Sequence, residues 1–182
     1  MKEVVNGIVI ECVAGNIAAQ KDMAAIVNAA NAQLKSGGGV AGAIHRAAGP
    51  DLERECIALA PIDPGEAVIT GGYRLPNRHV IHCLGPVYGV DEPSAVLLAN
   101  CYRNALRIAE QKKIDSIAFP AISTGAFGYP LESAVEIALK AILEVLPKLR
   151  YVRRIRFVLY DRKDLETCST LFSLLLAEAK KM

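Results

Sequence analysis

Two glycine-rich segments of this chain have the composition of an anion-binding loop. The first, Ile26 to Gly49, runs from apolar residues through two asparagines and three consecutive glycines, Gly37 to Gly39, into residues of helical composition. Glycine lets a ligand approach the main chain, and a following helix adds unpaired N–H groups and the positive end of its dipole. Both features favour a phosphate group. A glycine run before a helix can also be a simple turn, and the GxGxxG and Walker spacings are absent here.

The second segment, Ser123 to Gly128, strengthens this interpretation because it has the same order of elements. It follows an apolar run from Ile117 to Ile122 and precedes a helical pattern that begins near Pro130. In open α/β sheets, ligands bind beyond the carboxyl ends of the strands. Two such loops on neighbouring strands would hold one molecule from two sides, so we expect a diphosphate ligand.

The elements that must position these loops alternate along the chain. We predict strands at 4–13, 24–27, 66–73, 79–84, 114–122 and 154–160, and helices at 41–48, from 51 to 60, 93–111, 130–146 and 164–180. Helices of this number must cover both faces of a sheet. The expected fold class is therefore α/β, a three-layer α/β/α sandwich with a mixed, mostly parallel sheet. The lack of a linker predicts a single domain over residues 1–182.

Composition excludes several function classes. The formal net charge is +2, from 21 basic and 19 acidic residues, which gives no general attraction to nucleic acid. The arginines at 150, 153, 154 and 156 are interpreted as a solvated strand edge, so no specific nucleic-acid partner is predicted. No apolar stretch reaches the roughly 20 residues that a membrane span needs. A cytoplasmic protein without a membrane partner is expected.

The five cysteines form no CxxC pair and are odd in number, so neither a disulfide framework nor a zinc site is indicated. They are expected to be reduced core residues. His79 and His82 lie on one predicted strand without partners for a metal, and no metal site is predicted.

In their order along the chain, the segments VNAAN (27–31), GGGVA (37–41) and STGAFG (123–128) resemble the macro domain family, an ADP-ribose-binding fold. GNI (15–17), GEAVIT (65–70), AFPAIS (118–123) and YDRK (160–163) extend the resemblance over nearly all of the chain. It implies a cleft at the carboxyl ends of the strands that holds ADP-ribose or an ADP-ribosylated protein, with the diphosphate between the two glycine loops. It implies no cofactor, and it leaves the oligomeric state undetermined.

The resemblance also implies roles for individual residues. Asn31 would hydrogen-bond the hydroxyls of the distal ribose, Asn28 would support that loop or reach the same sugar, and Tyr160 would stack on adenine. Asn31, Gly39 and Phe127 would carry the catalytic function. The full set of implied ADP-ribose contacts is Asn16, Ile17, Asn28, Asn31, Gly38, Gly39, Val40, Ser123, Thr124, Gly125, Ala126, Phe127, Gly128 and Tyr160.

Each of the prominent site residues also has an ordinary structural interpretation. Asn28 and Asn31 would then bond locally to the backbone at the strand end, as asparagines in turns do. Phe127 and Tyr160 would be packed aromatic residues. His45, the histidine nearest to a glycine loop, is a candidate base, but a structural role in the helix is favoured.

Two positions depart from the family pattern. Asn16 stands where members commonly have an aspartate that accepts a bond from the adenine amine; an amide keeps an acceptor but loses the charge. Ala41 stands where family hydrolases that act on protein esters often carry an aspartate. Other members with GGGVA are catalytic, which implies a water molecule activated by the phosphate of the substrate itself, with Asn31 fixing the geometry.

The leading hypothesis is a hydrolase for ester-linked ADP-ribose, either mono-ADP-ribose on acidic side chains or O-acetyl-ADP-ribose. One alternative is a reader module that binds ADP-ribose without cleaving it, an interpretation that Ala41 supports. Another is a phosphatase acting on ADP-ribose-1″-phosphate, which differs only at the distal end.

Overall fold

The computed structural model describes residues 1–179. A mixed seven-stranded sheet forms the centre of the molecule. The strands lie in the order β1-β2-β7-β6-β3-β5-β4; β2, β7, β6, β3 and β5 run parallel, and β1 and β4 pair antiparallel at the two edges. The bounds are β1 Lys2–Val5, β2 Ile8–Ala14, β3 Ala25–Ala29, β4 Ala67–Gly71, β5 His79–Cys83, β6 Ser116–Phe119 and β7 Arg154–Leu159.

Helices cover both faces of this sheet. Three helices, α3 (Ser94–Gln111), α4 (Leu131–Val145) and α5 (Arg162–Ala179), pack on one face over the larger apolar core. The other face carries α1 (Gly39–Ala48), α2 (Pro50–Ile57) and a short 3₁₀ helix, Ile17–Ala19. This arrangement confirms the predicted three-layer α/β/α sandwich with a mixed, mostly parallel sheet.

The prediction of one strand over 4–13 is wrong, because Asn6 and Gly7 turn the chain. Both adopt positive φ, 51° and 76°, and the turn joins β1 to β2 as an antiparallel hairpin. Asn-Gly is the sequence that such two-residue hairpin turns prefer. The predicted strand at 114–122 is shorter, since β6 ends at Phe119 and its last residues belong to the following loop. The predicted end of the last helix, Lys180, lies outside the described residues.

The five cysteines are buried and free, and the Sγ atoms of Cys12 and Cys168 approach to 3.3 Å. Within residues 1–179, no helix combines the length and the apolar character that crossing a bilayer requires.

The interpretation of the arginines on β7 as a solvated strand edge is wrong for two of them, because β7 lies between β2 and β6. Arg156 donates to the carboxylates of Glu11 and Asp22 at 2.8 and 2.7 Å, and Arg154 reaches Asp22 at 2.8 Å. The hydrogen bond from Arg156 lowers the pKa of Asp22 to about 2. The side chains of Arg156 and Glu11 are only 11% and 10% exposed, so this pair belongs to the interior.

Replacing Arg156 by methionine should lower the free energy of unfolding by about 3 kcal/mol, because it leaves the carboxylate of Glu11 buried without its main partner. Urea denaturation followed by circular dichroism measures the loss. The matched control is Arg54→Met, which removes an exposed partner of Asp51 and should cost less than about 1 kcal/mol. Equal losses in the two variants would show that the Arg156 pair is not a buried one.

Candidate functional site

A cavity of about 380 Å³ opens where the parallel strands β3, β5 and β6 end. Loops that follow all three strands form its wall, as expected for a ligand site at the carboxyl edge of an α/β sheet. The lining residues are Ala29, Ala30, Asn31, Gly37, Gly38, Gly39, Val40, Ala41, Gly85, Ala121, Ile122, Ser123, Gly125, Ala126 and Phe127.

The first glycine loop leads directly into the amino end of α1. Gly38 is the N-cap residue and makes no side-chain cap bond, so the first N–H groups of the helix have no side-chain acceptor. Gly39 has φ +54°, a conformation that glycine adopts without strain. A Cβ atom at Gly42 would collide with the carbonyl of Gly37, which means that the loop packs closely on the first helical turn. Uncapped N–H groups and a positive dipole end therefore face the cavity.

Hydrogen bonds within the second glycine loop, Ser123 to Gly128, fix its conformation. The N–H of Tyr129 donates to the carbonyl of Ser123 at 2.9 Å, and that of Gly128 donates to Gly125 at 3.0 Å. Thr124 turns its hydroxyl back to the carbonyl of Ala121, at 2.8 Å, and neither Thr124 nor Gly128 lines the cavity. A Cβ atom at Gly125, which lines the cavity, would meet nothing within 4 Å, so the space beside this residue is open.

Ser123 is the most constrained residue of this wall. It has φ +67°, is 6% exposed, and its buried hydroxyl has no hydrogen-bond partner. Gly85, from the loop after β5, packs so closely against it that a Cβ atom there would collide with the Ser123 hydroxyl. Sequence reasoning missed Gly85. Its signal was a Gly-Pro pair directly after the predicted strand at 79–84, which is a turn sequence at the same edge of the sheet.

Phe127 is half-buried, lines the cavity, and also packs on the core beneath α1 and α2. Its carbonyl accepts the N–H of Tyr88 at 2.9 Å, which ties the second glycine loop to the loop after β5. Ligand contact and core packing, stated as alternatives for this ring, are thus compatible in one position.

Asn31 lines the cavity and also makes the local backbone bonds that were its alternative role. Its Nδ2 donates to the carbonyl of Lys35 at 2.8 Å, and its Oδ1 accepts the N–H of Lys35 at 3.0 Å. An amide has two donors and a two-lone-pair acceptor, so one N–H and one acceptor position stay free for a ligand. The two bonds to Lys35 fix the direction in which those free positions point.

Asn28 lies beneath the cavity and not in its wall, because its side chain on β3 points into the layer under α1. It is fully buried, and its Nδ2 lies 3.1 Å from Nδ1 of His82. The other ring nitrogen of His82 lies 2.9 Å from the hydroxyl of Thr70, which donates to the carbonyl of Gly71. These bonds are all satisfied when His82 is neutral and carries its proton on Nε2. Burial accordingly lowers the pKa of His82 to about 3.

His45 points into the same buried layer, 6.5 Å from His82 between ring centroids, and it does not line the cavity. It is 6% exposed, its Nε2 has no partner, and burial lowers its pKa. Ala41, one turn earlier on α1, does form part of the wall. None of the lining side chains is titratable, so the cavity itself offers no general base.

The remaining expected contacts lie at the carboxyl ends of β2 and β7. These strands pair Ala14 with Leu159, so Asn16 and Tyr160 follow neighbouring strand ends. The Oδ1 of Asn16 accepts the N–H of Ala18 at 2.9 Å and caps the 3₁₀ helix that contains the buried Ile17. Tyr160 is 93% exposed, which leaves its ring free. Asn16, Ile17 and Tyr160 are outside the cavity between the glycine loops.

Across residues 1–179, no group of three or more His, Cys, Asp or Glu side chains could hold a metal ion. The polar groups that line the cavity are backbone N–H groups and the amide of Asn31. This donor set suits an anion with hydroxyl groups beside it.

Comparison with known proteins identifies relatives of this chain. A family model described as Macro domain matches residues 27–138. A macro domain-containing protein of Chlorobaculum tepidum is 50% identical over 143 residues, which cover 78% of this chain and 83% of the relative. A protein of Citrobacter rodentium named O-acetyl-ADP-ribose deacetylase is 48% identical over 144 residues, covering 76% of this chain and 81% of the relative.

Solved structures agree with these relatives. The Oceanobacillus iheyensis macrodomain with ADP has a TM-score of 0.92 and 39% identity, covering 98% of this chain and 97% of that chain. A Trypanosoma brucei macrodomain in complex with ADP-ribose has a TM-score of 0.81 and 38% identity, covering 88% of this chain and 68% of that chain.

The buried neutral His82 should make stability depend on pH. In the unfolded chain this ring takes up a proton near pH 6.5, but in the folded protein only near pH 3. Between these values the unfolded state binds more protons, so the free energy of unfolding should fall as the pH is lowered, by up to about 1.4 kcal/mol per pH unit. Urea denaturation at a series of pH values measures this slope.

His82→Gln should flatten the slope, whatever it does to stability at neutral pH. The control His79→Gln, on the same strand, should keep it, and the contribution of His45 is common to both variants. If the slopes of the two variants were the same, His82 would not be the buried neutral group described here.

Proposed function

Because the chain belongs to the macro domain family, we propose that it binds ADP-ribose in the cavity between its two glycine loops and hydrolyses an ester bond at the distal ribose. The substrates would be proteins carrying mono-ADP-ribose on acidic side chains, or O-acetyl-ADP-ribose. The observation that carries the proposal is the pair of glycine loops, whose backbone N–H groups converge on one cavity from α1 and from the β6–α4 connection.

The diphosphate occupies the space between the two loops. Its negative charge is stabilised by the uncapped amino end of α1 on one side and by the N–H groups around Gly125 and Ala126 on the other. The adenosine extends toward the exposed ring of Tyr160, and stacking on it contributes on the order of 1 kcal/mol. The distal ribose lies beside Asn31, whose free donor and acceptor match a pair of sugar hydroxyls.

Hydrolysis then depends on a water molecule held beside the distal ribose. The water adds to the carbonyl carbon of the ester and the bond from that carbon to the ribose oxygen breaks. The products are a free carboxylate and the sugar hydroxyl, which takes one of the two protons of the water. No titratable side chain lines the cavity, so the proton of the water passes to a phosphate oxygen of the substrate itself. The contribution of the protein is positional: Asn31 orients the ribose, while the N–H groups of Gly39 and Phe127 hold the diphosphate in place.

The second candidate function is a reader of ADP-ribose that does not cleave it. The same absence of a titratable group in the wall, with Ala41 at the position where hydrolases often carry an acid, favours this candidate. Both functions use the same binding geometry, and they differ only in turnover.

The test is to incubate the purified protein with a protein ester-linked to ADP-ribose on acidic side chains and to measure the ADP-ribose released. The wild-type protein should release it at a rate that saturates with substrate. Asn31→Ala should lower kcat/KM at least about tenfold, because the ribose is no longer oriented.

Asn31→Asp is the matched control for the local turn, since an aspartate keeps the acceptor for the N–H of Lys35. If Asn31→Asp kept turnover while Asn31→Ala lost it, the turn and not the free amide donor would be the essential feature. If the wild-type protein bound ADP-ribose in calorimetry but left the ester intact, the hydrolase proposal would be overturned and the reader function would stand.

A further inference from the structure

A second cavity, also of about 380 Å³, lies at the opposite edge of the sheet. It opens where β3, β5 and β6 begin, so the length of these strands separates it from the cavity between the glycine loops. Its residues come from the segments before these three strands and from the end of α3: Lys21, Asp22, Met23, Ala24, Pro76, Arg78, His79, Lys112, Lys113, Ile114, Asp115 and Ser116. We call this region the amino-edge groove.

The amino-edge groove carries cations that the rest of the protein does not neutralise. Lys21, Arg78, Lys112 and Lys113 are exposed, and within residues 1–179 none of them forms an ion pair. The formal net charge of the whole chain is only +2, so this density of positive charge is local.

The two carboxylates of the groove do not cancel these charges. Asp22 is paired with Arg154 and Arg156, with contacts of 2.8 and 2.7 Å. Asp115 keeps its negative charge while it accepts the hydroxyl of Ser116 at 2.8 Å, but the four cations outnumber it. The positive charge of the lysines and of Arg78 therefore faces solvent. A groove of this kind attracts anionic ligands and raises their association rate.

An exposed aromatic ring adjoins the cations. Tyr151 is 45% exposed, and the Nζ atom of Lys113 lies 5.5 Å from the centre of its ring. The exposed Arg153 follows two residues later, and its N–H donates to the carbonyl of Asp115 in the groove wall. Glu110, near the end of α3, keeps its negative charge, and its carboxylate accepts the N–H groups of residues 150–152.

The order of the strands sets the length of this surface. Arg153 precedes β7 and Arg78 precedes β5, and the sheet places β7, β6, β3 and β5 side by side. Neighbouring strands lie about 4.8 Å apart, so the cations extend over about 15 Å. That distance corresponds to about four stacked nucleotides of one strand at about 3.4 Å each.

We propose that the amino-edge groove binds single-stranded nucleic acid without sequence preference. Its lysines and arginines contact successive phosphates, and the ring of Tyr151 stacks on a base, the combination by which such surfaces hold a single strand. An open groove with an exposed aromatic ring beside it fits one flexible strand, whose bases are accessible, better than a duplex, whose bases are stacked inside. The site is independent of ADP-ribose binding in the other cavity.

Fluorescence anisotropy with a labelled mixed-sequence oligonucleotide of about 12 nucleotides tests the proposal. Contacts to about three phosphates should weaken the measured affinity more than tenfold between about 50 and about 200 mM salt. The double variant Lys112→Glu, Lys113→Glu should bind at least about tenfold more weakly at low salt. The matched control Arg54→Glu, Lys140→Glu removes the same charge from α2 and α4 and should bind like wild type.

Tyr151→Ala distinguishes binding of a nucleic acid from binding of any polyanion, because only a nucleic acid has bases that stack on the ring. This variant should weaken oligonucleotide binding about fivefold and leave its salt dependence unchanged. Calorimetry with ADP-ribose should give wild-type affinity for every variant, which shows that each one folds. The proposal is overturned if the oligonucleotide does not bind, if the control variant loses as much as the lysine variant, or if duplex DNA or polyglutamate displaces the oligonucleotide with equal efficiency.

Discussion

The parallel hydrogen bonds that join β3 to β5 and to β6 bring three loops to one edge of the sheet. The loops that follow these strands line one common cavity. The contact between Gly85 and Ser123 depends directly on this pairing, because only a glycine tolerates the approach. A change in register of one residue would move each side chain of a strand to the opposite face of the sheet and separate the loops. The position of the site therefore depends on the strand order more than on any single side chain.

Beneath this edge, a small polar network stabilises the strands that carry the loops. Asn28, His82 and Thr70 lie on β3, β5 and β4 and join these three neighbouring strands through side-chain hydrogen bonds inside a largely apolar layer. Oδ1 of Asn28 has no partner, but the other polar atoms of this network are hydrogen-bonded. These bonds favour one arrangement of the three strands, since a shift would leave further donors or acceptors unpaired. The loops can thus be rich in glycine and still hold their geometry.

Much of the site could be predicted from the sequence, because its signals are local. Glycine runs after apolar strands predicted both loops, and Asn31, Gly38, Gly39, Ser123, Gly125 and Phe127 do line one cavity. The part that could not be predicted depends on which strands become neighbours. The role of Gly85 requires β5 to lie next to β3, and the burial of Asn28 requires His82 across from it. Residue spacing along one chain does not contain that information.

The fold, like the site, was predictable where its signals are local and unpredictable where it depends on which strands are neighbours. Alternating strands and helices predicted the layers, whereas the hairpin at Asn6 and Gly7 was missed although its turn sequence was readable. Composition alone cannot show that a strand is central, and it therefore predicts an edge for the arginines of β7. Arg154 and Arg156 are paired with Asp22 and Glu11, whereas Lys112 and Lys113, at the amino edge of the sheet, form no ion pair with the described residues.

The central claim is that the two glycine loops bind a diphosphate and that Asn31 binds the distal ribose. Calorimetry with ADP-ribose, ADP and AMP under identical conditions tests it most directly. The account predicts that ADP-ribose binds at least about tenfold more tightly than ADP, a difference of about 1.4 kcal/mol, and that ADP binds more tightly than AMP. Equal affinities for AMP and ADP would contradict the diphosphate site, and equal affinities for ADP and ADP-ribose would contradict the role of Asn31.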